Sequence, residues 1–109
     1  MALDYNNIGI IYYEQGNYSE TLKNYLHSLR IKESVDDKQG MAVSLANIGG
    51  LYIKLNKLKV ARDYLNKSLQ IARKIGDKET ISSNYNNFTI LDSIQGNWKE
   101  AYINSKLVT

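Results

Sequence analysis

The segment Tyr5-Asn6-Asn7-Ile8-Gly9-Ile10-Ile11-Tyr12 decides the fold, because the chain repeats it twice at a constant spacing. It returns forty residues later as Leu45-Ala46-Asn47-Ile48-Gly49-Gly50-Leu51-Tyr52, and forty residues after that as Tyr85-Asn86-Asn87-Phe88-Thr89-Ile90-Leu91-Asp92. Other short phrases keep the same offset, such as Ser28-Leu29 and Ser68-Leu69. A fixed period of this length is typical of repeat arrays, in which each unit stacks on the next.

Each repeat reads as two helices joined by a short turn. Apolar residues recur at spacings of three and four, as they do on one face of a helix. Gly16, Asn56 and Gly96 stand where the first helix of each pair should end, since these residue types readily adopt the left-handed conformation that stops a helix. Asp37 and Asp77 are expected N-caps. The predicted helices span residues 2–14, 18–34, 38–54, 58–75, 78–94 and 98–108, and the absence of proline is consistent with them.

This pattern resembles the tetratricopeptide repeat (TPR) family. The first helix carries Ile-Gly and then tyrosine, as in Ile48-Gly49 and Tyr52, and an alanine such as Ala61 follows on the second helix. The usual period is 34 residues. Forty residues is similar to the long variant found in kinesin light chains and in bacterial signalling proteins. The phrases at 8–18 and 75–78 look most like the TPR sensor region of bacterial signalling proteins such as histidine kinases.

The resemblance implies an all-α fold, a right-handed α-α superhelix of antiparallel helix pairs. We expect six helices in about 2.7 repeats, at residues 2–37, 38–77 and 78–109 of a single domain over 1–109. One pair cannot bury its own apolar stripe, so neighbouring pairs supply the partner surface. The third repeat departs from the pattern, since Thr89 replaces the glycine and Asp92 the tyrosine. The last helical pattern has no glycine stop, so we interpret the chain as a fragment of a longer protein.

The composition argues against several classes of function. The 109 residues include no cysteine and one histidine, His27, so we expect neither a metal site nor a cofactor. His27 lacks the acidic residue and the proline of a phosphoacceptor box, and we interpret it as a surface residue of a chain that is not an enzyme. The net charge of +3 is too small to indicate nucleic-acid binding.

The sequence predicts no membrane insertion by this chain, because its apolar runs are too short to span a bilayer. The first residues also lack the basic and apolar regions of a secretory signal. We therefore expect a cytoplasmic protein, unless the chain is a fragment of an extracytoplasmic sensor.

The family resemblance also implies where a partner would bind, because the first helix of each TPR lines the concave surface. Asparagine is a mediocre helix former, yet it returns at one register three times, as Asn7, Asn47 and Asn87. An amide can donate to a peptide carbonyl and accept from a peptide N–H. We predict a groove that binds an extended peptide or a segment of a partner protein. Its residues are Asn7, Asn47, Asn87, Asn6, Asn86, Ile10, Tyr13, Ile53, Lys54 and Ile90.

Two alternatives remain open at this point. The asparagines could instead bond neighbouring helices and have no ligand. The chain could also be a structural self-association module, because an array without polar caps leaves apolar surface at its ends. In that case a homodimer would form around Leu3 and Ile11 at one end, and around Trp98, Ala101, Tyr102 and Leu107 at the other.

Overall fold

The computed structural model describes residues 4–96. These residues contain five α-helices: α1 (Tyr5–Glu14), α2 (Tyr18–Ser34), α3 (Lys38–Lys54), α4 (Leu58–Ile75) and α5 (Lys78–Ile94). Turns of two or three residues join consecutive helices, which pack against each other as antiparallel neighbours. The prediction of an all-helical chain is confirmed for residues 4–96, where no strand occurs. The predicted sixth helix, 98–108, lies outside the described residues.

The first helix begins at Tyr5, a few residues after the start at about residue 2 that the sequence predicts. Asp4 has an extended backbone and is the N-cap. The physical reason is capping: the Asp4 carboxylate accepts hydrogen bonds from the backbone N–H groups of Asn6 and Asn7. A carboxylate at this position satisfies donors that a helix end otherwise leaves unpaired.

The turns between helices repeat the same geometry. Gly16 and Asn56, forty residues apart, both have positive φ and end the first helix of their pairs. In each case the following residue donates its backbone N–H across the turn, from Asn17 to Tyr12 and from Lys57 to Tyr52, both at 2.9 Å. These bonds satisfy carbonyl groups at the helix end. The left-handed stops predicted from the sequence are therefore confirmed at both positions.

Each helix pair is held together by a close approach at one glycine. A Cβ at Gly9 would lie 2.6 Å from two ring carbons of Tyr25, and a Cβ at Gly49 would lie 2.6 Å from Leu65 Cδ2. The backbone carbonyl of Thr21 or Ala61 faces the same point, in both pairs 3.3 Å from that Cβ position. The absence of a side chain lets the large residue of the second helix pack flat on the first helix.

The core consists of two apolar clusters, one at each junction between pairs. The first contains Tyr25, Leu29, Leu45, Ile48 and Leu51, and so joins α2 to α3. The second contains Ala61, Leu65, Leu69, Phe88 and Leu91, and joins α4 to α5. Both clusters put residues of one repeat against the next, so stacking of repeats creates the core.

Buried polar side chains also follow the repeat. The hydroxyls of Ser28 and Ser44 lie 3.4 Å apart, and at the equivalent positions forty residues later Asn84 Nδ2 donates to Ser68 Oγ at 2.9 Å. Ser68 Oγ in turn donates to the carbonyl of Ala42 at 2.6 Å. Burying a polar group costs free energy unless it is paired, so these bonds favour one register at each junction.

An ion pair between Arg62 and Asp92 joins the second repeat to the third, and the first and second repeats have no equivalent pair because Leu22 and Tyr52 stand at these positions. Asp92, only 3% exposed, stands where those repeats have Tyr12 and Tyr52. Its Oδ1 accepts a hydrogen bond from Arg62 Nη2 at 2.6 Å, and the same nitrogen donates to Gln95 Oε1 at 2.9 Å. Arg62 also lies over the Phe88 ring. This combination ties α4 to α5 with charge as well as apolar contact.

Two adjacent glycines allow a matched test of the close approach. We expect Gly49→Ala to lower the free energy of unfolding by about 1–3 kcal/mol, because the new methyl group overlaps buried Leu65. Gly50→Ala should leave it unchanged or raise it by up to about 1 kcal/mol, since its nearest neighbour is Asn87 at 3.9 Å and alanine favours a helix. Urea unfolding followed by circular dichroism measures both. Equal effects would contradict this account of Gly49.

The N-cap of α5 predicts a dependence of stability on pH. The Thr80 hydroxyl donates to Asp77 Oδ2 at 2.6 Å and, together with the Thr80 backbone N–H, holds the pKa of Asp77 below its ordinary value. A lowered pKa stabilises the fold above the ordinary value, and this stability is lost as the pH falls through the lowered pKa. Asp77→Ala should therefore cost about 1 kcal/mol at neutral pH and less at low pH.

Asp77→Asn removes the negative charge but keeps a capping side-chain oxygen, because asparagine caps helices about as well as aspartate does. Its free energy of unfolding should approach that of the unsubstituted chain as the pH is lowered from 7 to about 3 in urea titrations. A difference that stays constant over this range would show that the Asp77 charge does not contribute.

Candidate functional site

The described residues form a cavity of about 390 Å³ where α1, α3 and α5 meet. These are the first helices of the three repeats, so most of the lining comes from the helices that the sequence predicted. Helix α3 supplies six lining residues, α5 two, and α1 and α2 one each. The lining residues are Tyr13, Tyr25, Ala46, Asn47, Gly50, Leu51, Ile53, Lys54, Asn87 and Ile90.

Two amide side chains in this cavity have unused hydrogen-bonding groups. Asn47 and Asn87 are partly buried, and neither side chain forms a hydrogen bond to any residue in 4–96. A Cβ built at Gly50 would lie 3.9 Å from both the nitrogen and the oxygen of the Asn87 amide, so the glycine leaves this amide accessible. Each amide offers two N–H donors and an acceptor oxygen to a ligand.

The other asparagines predicted for the site lie in different surroundings. Asn7 is exposed, and its Nδ2 donates to Asp4 Oδ2 at 3.0 Å as part of the α1 cap. Asn6 Nδ2 donates to Ser44 Oγ at 3.3 Å, and its Oδ1 is buried without a hydrogen-bond partner. Asn86 is exposed on α5 outside the cavity lining. Asn6 therefore bonds a neighbouring helix, as in the alternative interpretation, whereas Asn7 bonds the N-cap of its own helix.

The apolar and charged residues of the predicted site also fall into two groups, inside and outside the cavity. Tyr13, Ile53, Lys54 and Ile90 line the cavity, whereas Ile10 is exposed on α1 outside it. Ile90 is 49% exposed and presents a large apolar surface at the cavity edge. The structure thus brings together six of the ten predicted residues, since Asn47 and Asn87 join these four.

Tyr25 is a lining residue that the sequence prediction did not include. It belongs to α2, the second helix of its pair, but the missing side chain at Gly9 lets its ring pack across α1 and reach the cavity. Burial, and then the nearby Tyr13 hydroxyl, raise the pKa of Tyr25 above its ordinary value. The spacing of Gly9 and Tyr25 is the sequence signal that could have indicated this contact.

A second, smaller cavity of about 250 Å³ adjoins the first. It lies between α3 and α5 and is lined by Val43, Ala46, Asn47, Glu79, Thr80 and Ser83. Ala46 and Asn47 line both cavities. The sequence prediction also left out Glu79, which stands in the first turn of α5. We refer to the two cavities together as the groove.

Within residues 4–96, the groove presents amide, apolar and charged side chains that suit binding. Residues 4–96 contain no cluster of three or more histidine, cysteine, aspartate or glutamate side chains suited to a metal ion. His27 is exposed on α2, and its ring stacks on Tyr5 with centroids 4.1 Å apart. Within the described part of the chain, no helix has the length and hydropathy needed to cross a membrane.

Comparison with known proteins agrees with this architecture. The model of the tetratricopeptide repeat family matches residues 2–74, which is more than half of the chain. The chain belongs to the tetratricopeptide repeat family. TPR units generally mediate protein–protein interaction and are typically not enzymes.

A curated relative also aligns with this TPR chain. It is the Tonsoku-like protein of Drosophila melanogaster, 27% identical over 75 residues. The alignment covers 69% of the TPR chain and 5% of the relative. No solved structure matches the chain significantly.

Proposed function

We propose that this TPR chain binds an extended segment of a partner protein in the groove between α1, α3 and α5. The observation that carries the proposal is the pair of accessible amides, Asn47 and Asn87, that have no hydrogen-bond partner within residues 4–96. An extended peptide has backbone N–H and C=O groups to pair with them. A helix has already used its own backbone groups and would leave these amides without partners.

Selectivity would come from the side chains around the amides. Ile53 and Ile90 give apolar contact surface, and Tyr13 adds an aromatic edge with a hydroxyl. Lys54 supplies positive charge at one side of the larger cavity. Backbone-directed bonds alone would bind many sequences, so these residues determine the preference. Because the groove is short, we expect affinities of about micromolar or weaker.

Self-association is a second candidate, and the exposure of α1 favours it. Ile11 is 56% exposed, whereas its equivalents Leu51 and Leu91 are 1% and 0% exposed because each packs against the preceding helix pair. The face of α1 that carries Ile11 is therefore exposed, whereas the equivalent faces of α3 and α5 are covered by the preceding helix pair. A second copy could cover it and form the homodimer expected from the sequence. The other predicted end, from Trp98 to Leu107, lies outside the described residues.

A role as the sensor or scaffold of a bacterial signalling protein remains a prediction from the sequence resemblance alone. The relative found by comparison comes from an insect and does not address it. A gene that encodes a membrane helix and a kinase domain together with this chain would support the role, and a gene without them would contradict it.

Alanine substitution of the two amides tests the binding proposal. A peptide selected from a random phage-displayed library against the unsubstituted chain serves as the probe. The double variant Asn47→Ala/Asn87→Ala should weaken its binding at least about tenfold, because each lost hydrogen bond contributes about 1 kcal/mol. Asn7→Ala is the matched control and should leave binding unchanged, since Asn7 bonds to Asp4. Calorimetry or fluorescence polarisation measures both.

Retained helicity with unchanged binding in the double variant would show that the groove amides do not hold the peptide. If the double variant unfolds, Gly50→Met provides the second test, because it fills the groove without removing a hydrogen bond. Normal binding by a folded Gly50→Met variant would also contradict the proposal.

A charged residue on the face of α1 that carries Ile11 tests self-association. We expect the unsubstituted chain to show a concentration-dependent monomer–dimer equilibrium in sedimentation, and Ile11→Lys to remain monomeric. The exposed position should leave the fold intact. Val60→Lys, at a 39% exposed position on α4, is the control and should still dimerise. An unsubstituted chain that stays monomeric at several hundred micromolar would rule out this alternative.

A further inference from the structure

The two cavities of the groove adjoin each other along α3 and α5, and we call this stretch the trough. Ala46 and Asn47 line both cavities, which therefore lie next to each other. The two helices contact each other and both run antiparallel to α4, so they lie side by side in the same direction. From Val43 at one end to Lys54 at the other, α3 advances about 16 Å at 1.5 Å per residue.

The trough carries opposite charges at its two ends. Lys54 is the charged residue that lines the larger cavity, and Glu79 is the charged residue that lines the smaller one. Neither forms an ion pair with any residue from 4 to 96. The N-terminus of α5 favours a negative charge at Glu79 without pairing it with a cation. Both side chains are therefore available to a ligand.

The floor between these charges favours an extended backbone. Small residues on both helices, Ala46, Gly50 and Ser83, allow a chain to approach closely. The Asn47 and Asn87 amides stand in the same stretch, and they need a ligand with unpaired N–H and C=O groups. An extended chain rises about 3.3 Å per residue, so about five residues span the roughly 16 Å of α3, from Val43 to Lys54, that lines the two cavities.

We propose that the trough selects a partner segment by a pair of opposite charges, with an acidic side chain at Lys54 and a basic side chain at Glu79, about five residues apart. The inference rests on the proposed function, because it concerns the same groove. It adds the chemistry of the partner: an extended, dipolar segment rather than a uniformly acidic or basic one. A segment of a single charge would meet repulsion at one end of the trough.

Synthetic peptides test this rule directly. The probes are fluorescein-labelled twelve-residue peptides of serine, alanine and leucine, with one aspartate and one lysine at separations of two, five or eight residues, in both orders. We expect the separation of five, in one of the two orders, to bind about fivefold more tightly than the others, since two exposed ion pairs contribute that much. A peptide with asparagine and glutamine at the same positions should lose the advantage.

Exchange of the charges at Lys54 and Glu79 provides a second test of the inference. Lys54→Glu/Glu79→Lys should reverse the preferred order of aspartate and lysine, while keeping the preferred separation of five. The matched control is Lys59→Glu/Glu33→Lys, which exchanges two exposed charges outside the trough and should keep the original order. Circular dichroism confirms that both variants are folded.

The outcomes distinguish this inference from the proposed function. Binding that depends on Asn47 and Asn87 but not on charge separation would overturn the inference and leave the proposed function intact. If the control variant also reversed the preferred order of aspartate and lysine, the inference would be overturned, because the effect would then come from the overall charge distribution. No binding by any peptide, including the one selected from the library, would overturn both.

Discussion

The contact between a helical glycine and a large side chain of the next helix is the constraint on which the rest of this structure depends. Gly9 receives Tyr25 and Gly49 receives Leu65, and in both places the large side chain occupies the space that a Cβ at the glycine would need. This contact sets the distance within each helix pair. The distance in turn determines which faces remain free to stack on the next pair and which side chains reach the groove.

One repeat position can hold the same residue type in different environments, as the asparagine register shows. Asn7 belongs to the cap of α1, where Asp4 is its partner. Asn47 and Asn87 lie inside the array, where helices flank them, and they line a cavity. The period of the sequence predicts equivalent backbone positions. It does not predict equivalent surroundings, because these depend on the neighbouring helices: α3 packs against α2, α4 and α5, whereas α1 packs mainly against α2.

The same distinction explains how much could be predicted from the sequence. The limits of α2 to α5 follow from local signals. Left-handed residues end helices at Gly16 and Asn56, and N-caps start them at Asp37 and Asp77. The groove residues on α3 and α5 also follow from the repeat register. Tyr25 and Glu79 could not be found this way. Tyr25 reaches the cavity only through the gap at Gly9, and Glu79 faces it only because α5 lies beside α3.

The ion pair between Arg62 and Asp92 makes the order of the repeats a chemical requirement. A helix pair that stacks by apolar contact alone could dock on any similar pair. If α5 docked on α2 instead of α4, the residue equivalent to Arg62 would be Leu22, and the Asp92 carboxylate would be buried without that cation. Removing the partner of a buried charge costs about 3–5 kcal/mol. The third repeat can therefore recognise the second and reject the first, which disfavours an array whose repeats stack in the wrong order.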